Sequence, residues 1–415
     1  METLKAENLI GNLKCSYSAM VSIDGLAVCA VGHKQEMKPE PDPESTACNA
    51  CLHSLHFQRI TDHHVMSDFA QHLIHWQQIH GRHHLPWQNT HDAYRIWLSE
   101  IMLQQTQVNT VIPYYLRFLE RFPDLTRLAE ASQDEVLELW SGLGYYSRGR
   151  NLHGAAQRVC ERHGGAFPAR IEDIVALPGI GRSTASAIAV FAFGARSAIL
   201  DGNVKRVLTR HFGITGYPGE KKVETSLWQL AESLLPAHNV ATYTQALMDL
   251  GATVCTRSRT ACDHCPVSTS CVARASNQVA CLPTPRSRKT TPQKATHMLI
   301  LRHAGEILLE KRPPSGIWGG LWSLPEADMD TDIATHCRTR FGMETTAAGS
   351  LPELKHSFTH FRLRIAPQLL DVTRLLPRAE QTGQLWLAPR AALNAAIPTP
   401  VRKLLQQLVA LETPA

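Results

Sequence analysis

Apolar positions change their spacing along the chain, and those changes divide it. Over residues 1 to about 65 they follow no period, and the proline- and acid-rich stretch "KPEPDPES" reads as loop or disorder. From Ser67 to about Ala280 they recur every three or four residues, as in "AYRIWLSEIML", the period of amphipathic helices. Pro, Arg, Lys and Thr then interrupt the pattern in "LPTPRSRKTTPQK", which reads as a basic linker. Beyond it, "HMLILRHAGEILLEKRP" places two short apolar runs around Ala-Gly, a hairpin signature. The pattern predicts a multidomain chain without internal repeats: an extension over 1–65, an all-α domain over 66–280, a linker over 281–296 and an α+β domain over 297–415. Met66 directly precedes the first strong helical pattern, so the extension is read as disordered or as a mis-annotated start.

Composition narrows the classes. With 415 residues, 44% apolar and 19% charged, the chain can bury two or three cores and is not a disordered polymer. No apolar run reaches the length of a membrane helix; Ala185 to Leu200 is broken by Gly194 and Arg196. A net charge of +5 permits a polyanionic partner without demanding one. The acidic N-terminus resembles neither a secretory signal nor a transit peptide, which points to a cytoplasmic protein. Eleven cysteines without a signal suit a reducing compartment, where clustered thiols are metal ligands more often than disulfides.

Four cysteines crowd into "CTRSRTACDHCPVSTSC": Cys255, Cys262, Cys265 and Cys271, with six, two and five residues between them. Zinc and iron–sulfur clusters both accept four thiolates, and a set of buried free thiols is the bland alternative. One short segment wrapping its centre suits a cubane cluster better than the paired couples of zinc sites. Arg257 and Arg259 stand in the first loop with Thr and Ser, a composition that offers donors to phosphate. "CNACLHSLH", with Cys48, Cys51, His53 and His56, lacks the spacing of a zinc finger and reads as a decoy.

"IEDIVALPGIGRSTASAIAVFAFG" interrupts two helical patterns at Gly179 and Gly181. Glycines let the backbone turn tightly, and the amides at the start of the following Ala-rich helix can hold a phosphate without reading sequence. The segment reads as a helix–hairpin–helix. Two carboxylates complete the picture. Glu100 shares a helix face with Ile96, Trp97 and Leu103, so desolvation should raise its pKa into the range of a general acid. Asp201, in "ILDGNVKRVL", precedes a helix and reads as an N-cap or as a second, ionised carboxylate. An acid and an ionised carboxylate together are the equipment for cleaving a glycosidic bond, including that of a base flipped from DNA.

With "WLSEIMLQQTQV", "GLGYYSRGRNL", "LPGIGRSTASAI", "ILDGNVKRVL", the cysteine spacing and "SGIWGGLWSLP", the chain from Ser67 onward closely resembles the adenine DNA glycosylases of the MutY type, in the helix–hairpin–helix and endonuclease III superfamily. The resemblance implies a 4Fe–4S cluster on Cys255, Cys262, Cys265 and Cys271. It also implies removal of adenine opposite 8-oxoguanine or guanine in double-stranded DNA by a monomer. Glu100 would protonate adenine, Asp201 would stabilise the sugar cation and Asn203 would support the site. Gln105 and Tyr145 would enter the duplex beside the oxidised guanine; core packing is their bland reading. Where bifunctional relatives carry a nucleophilic lysine, this chain has Ser183, which cannot form an imine. Lys205 is the nearest other amine and is expected to contact phosphate or to give only adventitious lyase activity.

The C-terminal domain resembles the Nudix fold, but "DMDTDIATHCRTRFGM" lacks the acidic box that binds magnesium, so it is expected to read 8-oxoguanine rather than hydrolyse nucleotides. Phe358, Thr359 and His360 match the family's Phe-Ser-His reading loop, with Thr in place of Ser. The alternatives are a bifunctional glycosylase with lyase activity, an iron–sulfur DNA-binding protein without chemistry, and a nucleotide pyrophosphohydrolase.

Overall fold

A computed structural model describes residues 20–23, 26–29, 63–287, 290–377 and 383–412. Two compact units divide the chain, Met1–His56 and Phe57–Ala415. In the first, β1 (Met20–Ile23) pairs antiparallel with β2 (Leu26–Cys29). These runs flank Asp-Gly in the sequence, a hairpin signal that the aperiodic reading of 1–65 passed over. The segment "CNACLHSLH" lies outside the described residues.

The second unit opens with α1 (His63–His80), which starts ahead of Met66. In α2 (Ala93–Leu103) the Asp92 carboxylate caps the amides of Tyr94 and Arg95 at 2.9 and 3.4 Å. Ile96, Trp97, Ile101 and Met102 bury the apolar face of α2. It packs with α3 (Val108–Arg121), α5 (Gln133–Trp140) and α6 (Ser147–His163) around Trp97, Tyr115, Phe118 and Trp140; α4 (Leu125–Glu130) lies between α3 and α5 in sequence. The hairpin joins α7 (Ile171–Val175) to α8 (Arg182–Phe193). A second helical core, containing Leu73, Leu200, Val204, Leu227 and Tyr243, is built with α9 (Gly202–His211), α10 (Lys221–Ser233) and α11 (Val240–Asp249). A π-helical turn, Leu250–Val254, carries α11 into the cysteine loop, which ends at the short α12 (Val272–Ala275).

The last part is a sheet of order β10-β4-β3-β9-β7, with β5 on β4, β6 on β3 and β8 on β9. Its strands are β3 (Gln293–His303), β4 (Glu306–Lys311), β5 (Trp322–Ser323), β6 (Glu326–Ala327), β7 (Met343–Ser350), β8 (Leu354–Ser357), β9 (Arg362–Leu375) and β10 (Gln384–Leu387). The hairpin expected around Ala-Gly is present, with His303 opposite Glu306. β3 and β9 run parallel, and that pairing draws Gln293 into the sheet although the sequence reads it as linker: Arg362 and its successors supply partners whatever the side chains. Three short helices complete the unit: α13 (Ile333–His336), α14 (Pro389–Ala392) and α15 (Thr399–Glu412). Leu137 and Trp140 of α5 belong to the same buried cluster as Ile300, Leu309, Val401 and Leu405. The helical and β parts therefore share a core, and Lys311 is ion-paired to Asp134 across the junction.

Candidate active site and DNA-facing elements

The carboxylates read from the sequence meet in one cavity. A pocket of about 1090 Å³ is lined by Glu100, Gln104, Gln105, Ser183, Asp201 and Asn203, with His83, Trp87 and Gln245 on other walls. Burial pushes the Glu100 carboxyl up to about 8, and the nearby Asp201 charge adds to the rise. Asp201 is the N-cap of α9, its Oδ1 accepting from the Val204 amide at 2.8 Å, while Asn203 Nδ2 donates to its Oδ2 at 3.2 Å. Burial raises Asp201 too, opposed by the Val204 amide, the Arg206 charge and Asn203. The bland and functional readings of Asp201 are thus compatible: one oxygen caps the helix, the other accepts from Asn203, and the residue lines the cavity.

Asn203 is itself held. Arg206 donates to Asn203 Oδ1 at 2.7 Å, to the Gly251 carbonyl at 2.6 Å and to the Cys255 carbonyl at 2.8 Å. Gly251 fits against Asn203 so closely that a Cβ there would lie 2.5 Å from the Asn203 Cβ. Neither Arg206 nor Gly251 was found by sequence reasoning; the basic face of α9 hinted at the first, and nothing local marks the second. Ser183 lines the cavity and accepts from the Leu200 amide at 3.0 Å, which ties the hairpin to the strand-like approach of Asp201. Lys205 lies elsewhere, paired with Glu224 at 2.5 Å.

Gly179 has φ +75 and a Cβ would meet Asn151 Cβ at 2.7 Å, so the hairpin turn requires glycine. Gly181 begins α8 without a side-chain cap, which leaves the first amides of a twelve-residue helix without a side-chain acceptor. Gln105 and Tyr145 both adopt left-handed backbone, φ 59 and 47, and Tyr145 is 49% exposed. Both side chains are exposed, so core packing does not account for either.

Four free thiols, Cys255, Cys262, Cys265 and Cys271, line one small cavity with Arg210. Burial pushes Cys265 up to about 11 and the other three thiols add to it, so bare thiolates would be costly there. Arg210 lies 3.4 Å from Cys255 Sγ and donates to the Thr256 carbonyl at 2.7 Å, placing positive charge beside the thiols. Among the described residues no His, Cys, Asp or Glu group is gathered tightly enough for a single metal ion. Four thiols lining one cavity are the donor set that an iron–sulfur cluster or a zinc ion takes. The loop between the first two cysteines is closed by a Cys255–Thr260 bridge and by the Arg259 amide on Thr256 Oγ1 at 3.1 Å, and Arg257 and Arg259 stand exposed on it.

In the C-terminal domain, Phe358, Thr359 and His360 form the turn between β8 and β9. The Phe358 amide donates to the Phe361 carbonyl at 2.9 Å and the two rings stack 4.4 Å apart. Thr359 and His360 are exposed at the tip. Where a Nudix enzyme would carry its acidic helix, this chain has α13 and a following turn with Arg338 and Arg340, and Arg340 binds Glu310 through both oxygens at 3.1 Å. None of the described helices is long and apolar enough to cross a membrane.

Two family models match: the HhH-GPD superfamily base excision DNA repair protein over residues 98–233, and the NUDIX domain over 296–407. A thermostable thymine-DNA glycosylase structure is similar at 28% identity, covering 51% of this chain and 97% of that chain, with a TM-score of 0.47. The adenine DNA glycosylase of Buchnera aphidicola subsp. Acyrthosiphon pisum is 35% identical over 81% of this chain and 97% of its own length. That of Homo sapiens is 34% identical over 87% of this chain and 77% of its own. With its two catalytic-type carboxylates in one cavity and relatives matched along most of their length, the chain belongs to the adenine DNA glycosylase family.

Proposed function

We propose that this enzyme hydrolyses the N-glycosidic bond of adenine mispaired with 8-oxoguanine or guanine, once the adenine has been flipped from double-stranded DNA into the Glu100–Asp201 cavity. The observation that carries the reading is the environment of Glu100: burial beside Asp201 keeps its carboxyl protonated near neutral pH. Protonated Glu100 gives its proton to the adenine ring, and the C1′–N9 bond breaks with its electron pair leaving on adenine. Asp201, held by Val204 and Asn203, faces the positive charge that develops on the sugar. Water then adds to C1′ and returns a proton to Glu100, which leaves an abasic site.

The remaining elements place the DNA. Amides at the start of α8, reached through Gly179 and Gly181, take a phosphate, as do Arg257 and Arg259. Lys205 is read as a further phosphate contact at the rim, released from Glu224 when DNA binds. Gln105 and Tyr145 enter the duplex beside the oxidised guanine, and Phe358, Thr359 and His360 read that base. Cys255, Cys262, Cys265 and Cys271 would hold a 4Fe–4S cluster, which would cross-link the arginine loop rigidly. The enzyme acts as a monomer on the cytoplasmic chromosome.

Strand cleavage of a labelled duplex with adenine opposite 8-oxoguanine tests the reading. A break only after hot alkali is expected, because the Ser183 hydroxyl cannot form an imine and Lys205 does not line the Glu100–Asp201 cavity. A break without alkali would expose a lyase amine, and intact DNA under both conditions would remove the glycosylase reading.

A further inference from the structure

The loop Ser141–Tyr146, which carries Tyr145, is gripped on two sides by groups that the reaction does not use. On one side Arg148, 8% exposed, donates to the carbonyls of Met102 (2.8 Å), Gln104 (2.6 Å) and Gly144 (3.1 Å), which ties the loop to the end of the Glu100 helix. On the other side the partner is the C-terminal domain. Ser141 is 8% exposed; its hydroxyl donates to the Ile397 carbonyl at 2.9 Å and accepts from Arg402 Nη2 at 3.0 Å. Arg402 is anchored in turn on the Leu393 carbonyl at 2.5 Å. The Tyr146 hydroxyl accepts from the Gly142 amide at 3.4 Å.

The loop cannot relax away from this grip. Gly142 has φ +106, and a Cβ there would lie 2.1 Å from the Tyr114 hydroxyl, which itself donates to the Ser141 carbonyl at 3.1 Å. Buried polar groups of this kind hold one geometry because a half-made network is worse than a complete one. Arg402 and Thr399 sit in the first turn of α15, so the seat of the loop is made by the domain that carries Phe358–His360.

We propose that Arg402 is a positioning residue through which the C-terminal domain sets the Tyr145 loop against DNA, an inference that rests on Tyr145 entering the duplex. Lesion reading and insertion then act as one event: a C-terminal domain seated on 8-oxoguanine holds Tyr145 at the same base pair. The Arg402 side chain never touches substrate.

The test is a double-mutant cycle in the full-length protein. It follows single-turnover excision on an A:8-oxoguanine duplex and the fluorescence of 2-aminopurine beside the lesion, a local report of unstacking. Arg402→Met should slow excision roughly tenfold, as expected for losing charged hydrogen bonds to a buried loop, and should lower the fluorescence toward that of Tyr145→Ala. The double variant should be no slower than Tyr145→Ala alone, within about twofold. Melting temperatures confirm folding; if Arg402→Met does not fold, Ser141→Ala carries the same cycle. Losses that multiply, or an Arg402→Met enzyme with wild-type rate and fluorescence, overturn the coupling while leaving Tyr145 in its role. If Tyr145→Ala alone behaves as wild type, duplex entry fails first and the coupling falls with it.

Discussion

Glu100 combines two demands that pull against each other. Half-buried at the wall of the cavity, its carboxyl loses solvation, and that loss, with Asp201 nearby, pushes it up to about 8. The raised value suits an acid at neutral pH but costs stability wherever the group must ionise. The folded protein holds the proton more tightly than the unfolded chain, whose carboxyl titrates at about 4.5. The stabilising contribution is therefore complete below that value and is lost as pH rises through about 8. Glu100→Gln should lower single-turnover excision by roughly 10²–10⁴-fold, the range for a lost general acid. The same variant should melt above wild type at about pH 9, with the gain vanishing at about pH 5. An equal change in melting temperature at both pH values would contradict the burial argument. In wild type, excision should decline as pH passes through about 8, since the acid form empties.

At the level of elements, α9 and the π-helical turn before Cys255 meet through Arg206, Asn203 and Gly251. Gly251→Ala would place a methyl 2.5 Å from the Asn203 Cβ and must displace it from Asp201. A roughly tenfold to hundredfold loss in excision with duplex affinity nearly unchanged is expected, because the shift acts on orientation at the reacting centre. Single-turnover rates beside a binding titration would separate the two quantities. The cysteine loop should respond in the opposite way. Cys262→Ser is expected to remove the brown absorbance of a cluster and to weaken duplex binding about tenfold, the order for losing phosphate contacts, with the salt dependence of binding reduced. Full affinity in a colourless protein would dissociate the loop from DNA docking.

For the whole molecule, the shared core matters most. Residues of α5 and α15 pack with the sheet in one cluster, so the Phe358–His360 turn, the Tyr145 loop and the Glu100 helix are parts of one body rather than beads on a linker. The sheet keeps the Nudix outline while the turn that follows α13 carries Arg338 and Arg340, and Glu310 is engaged by Arg340. Among the described residues no group of His, Cys, Asp or Glu is gathered to hold a metal ion there. Incubation with magnesium and the triphosphate of 8-oxodeoxyguanosine should release no pyrophosphate above background, and a magnesium-dependent release would restore a hydrolytic role to the domain.

The helical and hairpin periods, the glycine turn at Gly179, the apolar face behind Glu100 and the cysteine spacing were all legible along the chain. These are local: each follows from backbone sterics or from which residues share a face within a few positions. The sequence could not place Gln293 in a strand, because parallel pairing with Arg362 is a contact across roughly seventy residues. Nor could it join Glu100 to Asp201, seat Asn203 on Gly251, or bring Ser141 to Arg402, pairings separated by tens to hundreds of positions. Each residue type there is ordinary in its own segment. Only the tertiary structure gives a glycine the task of making room for an asparagine, or a serine that of anchoring a loop, because close approach and burial are properties of the packed chain and not of the residue.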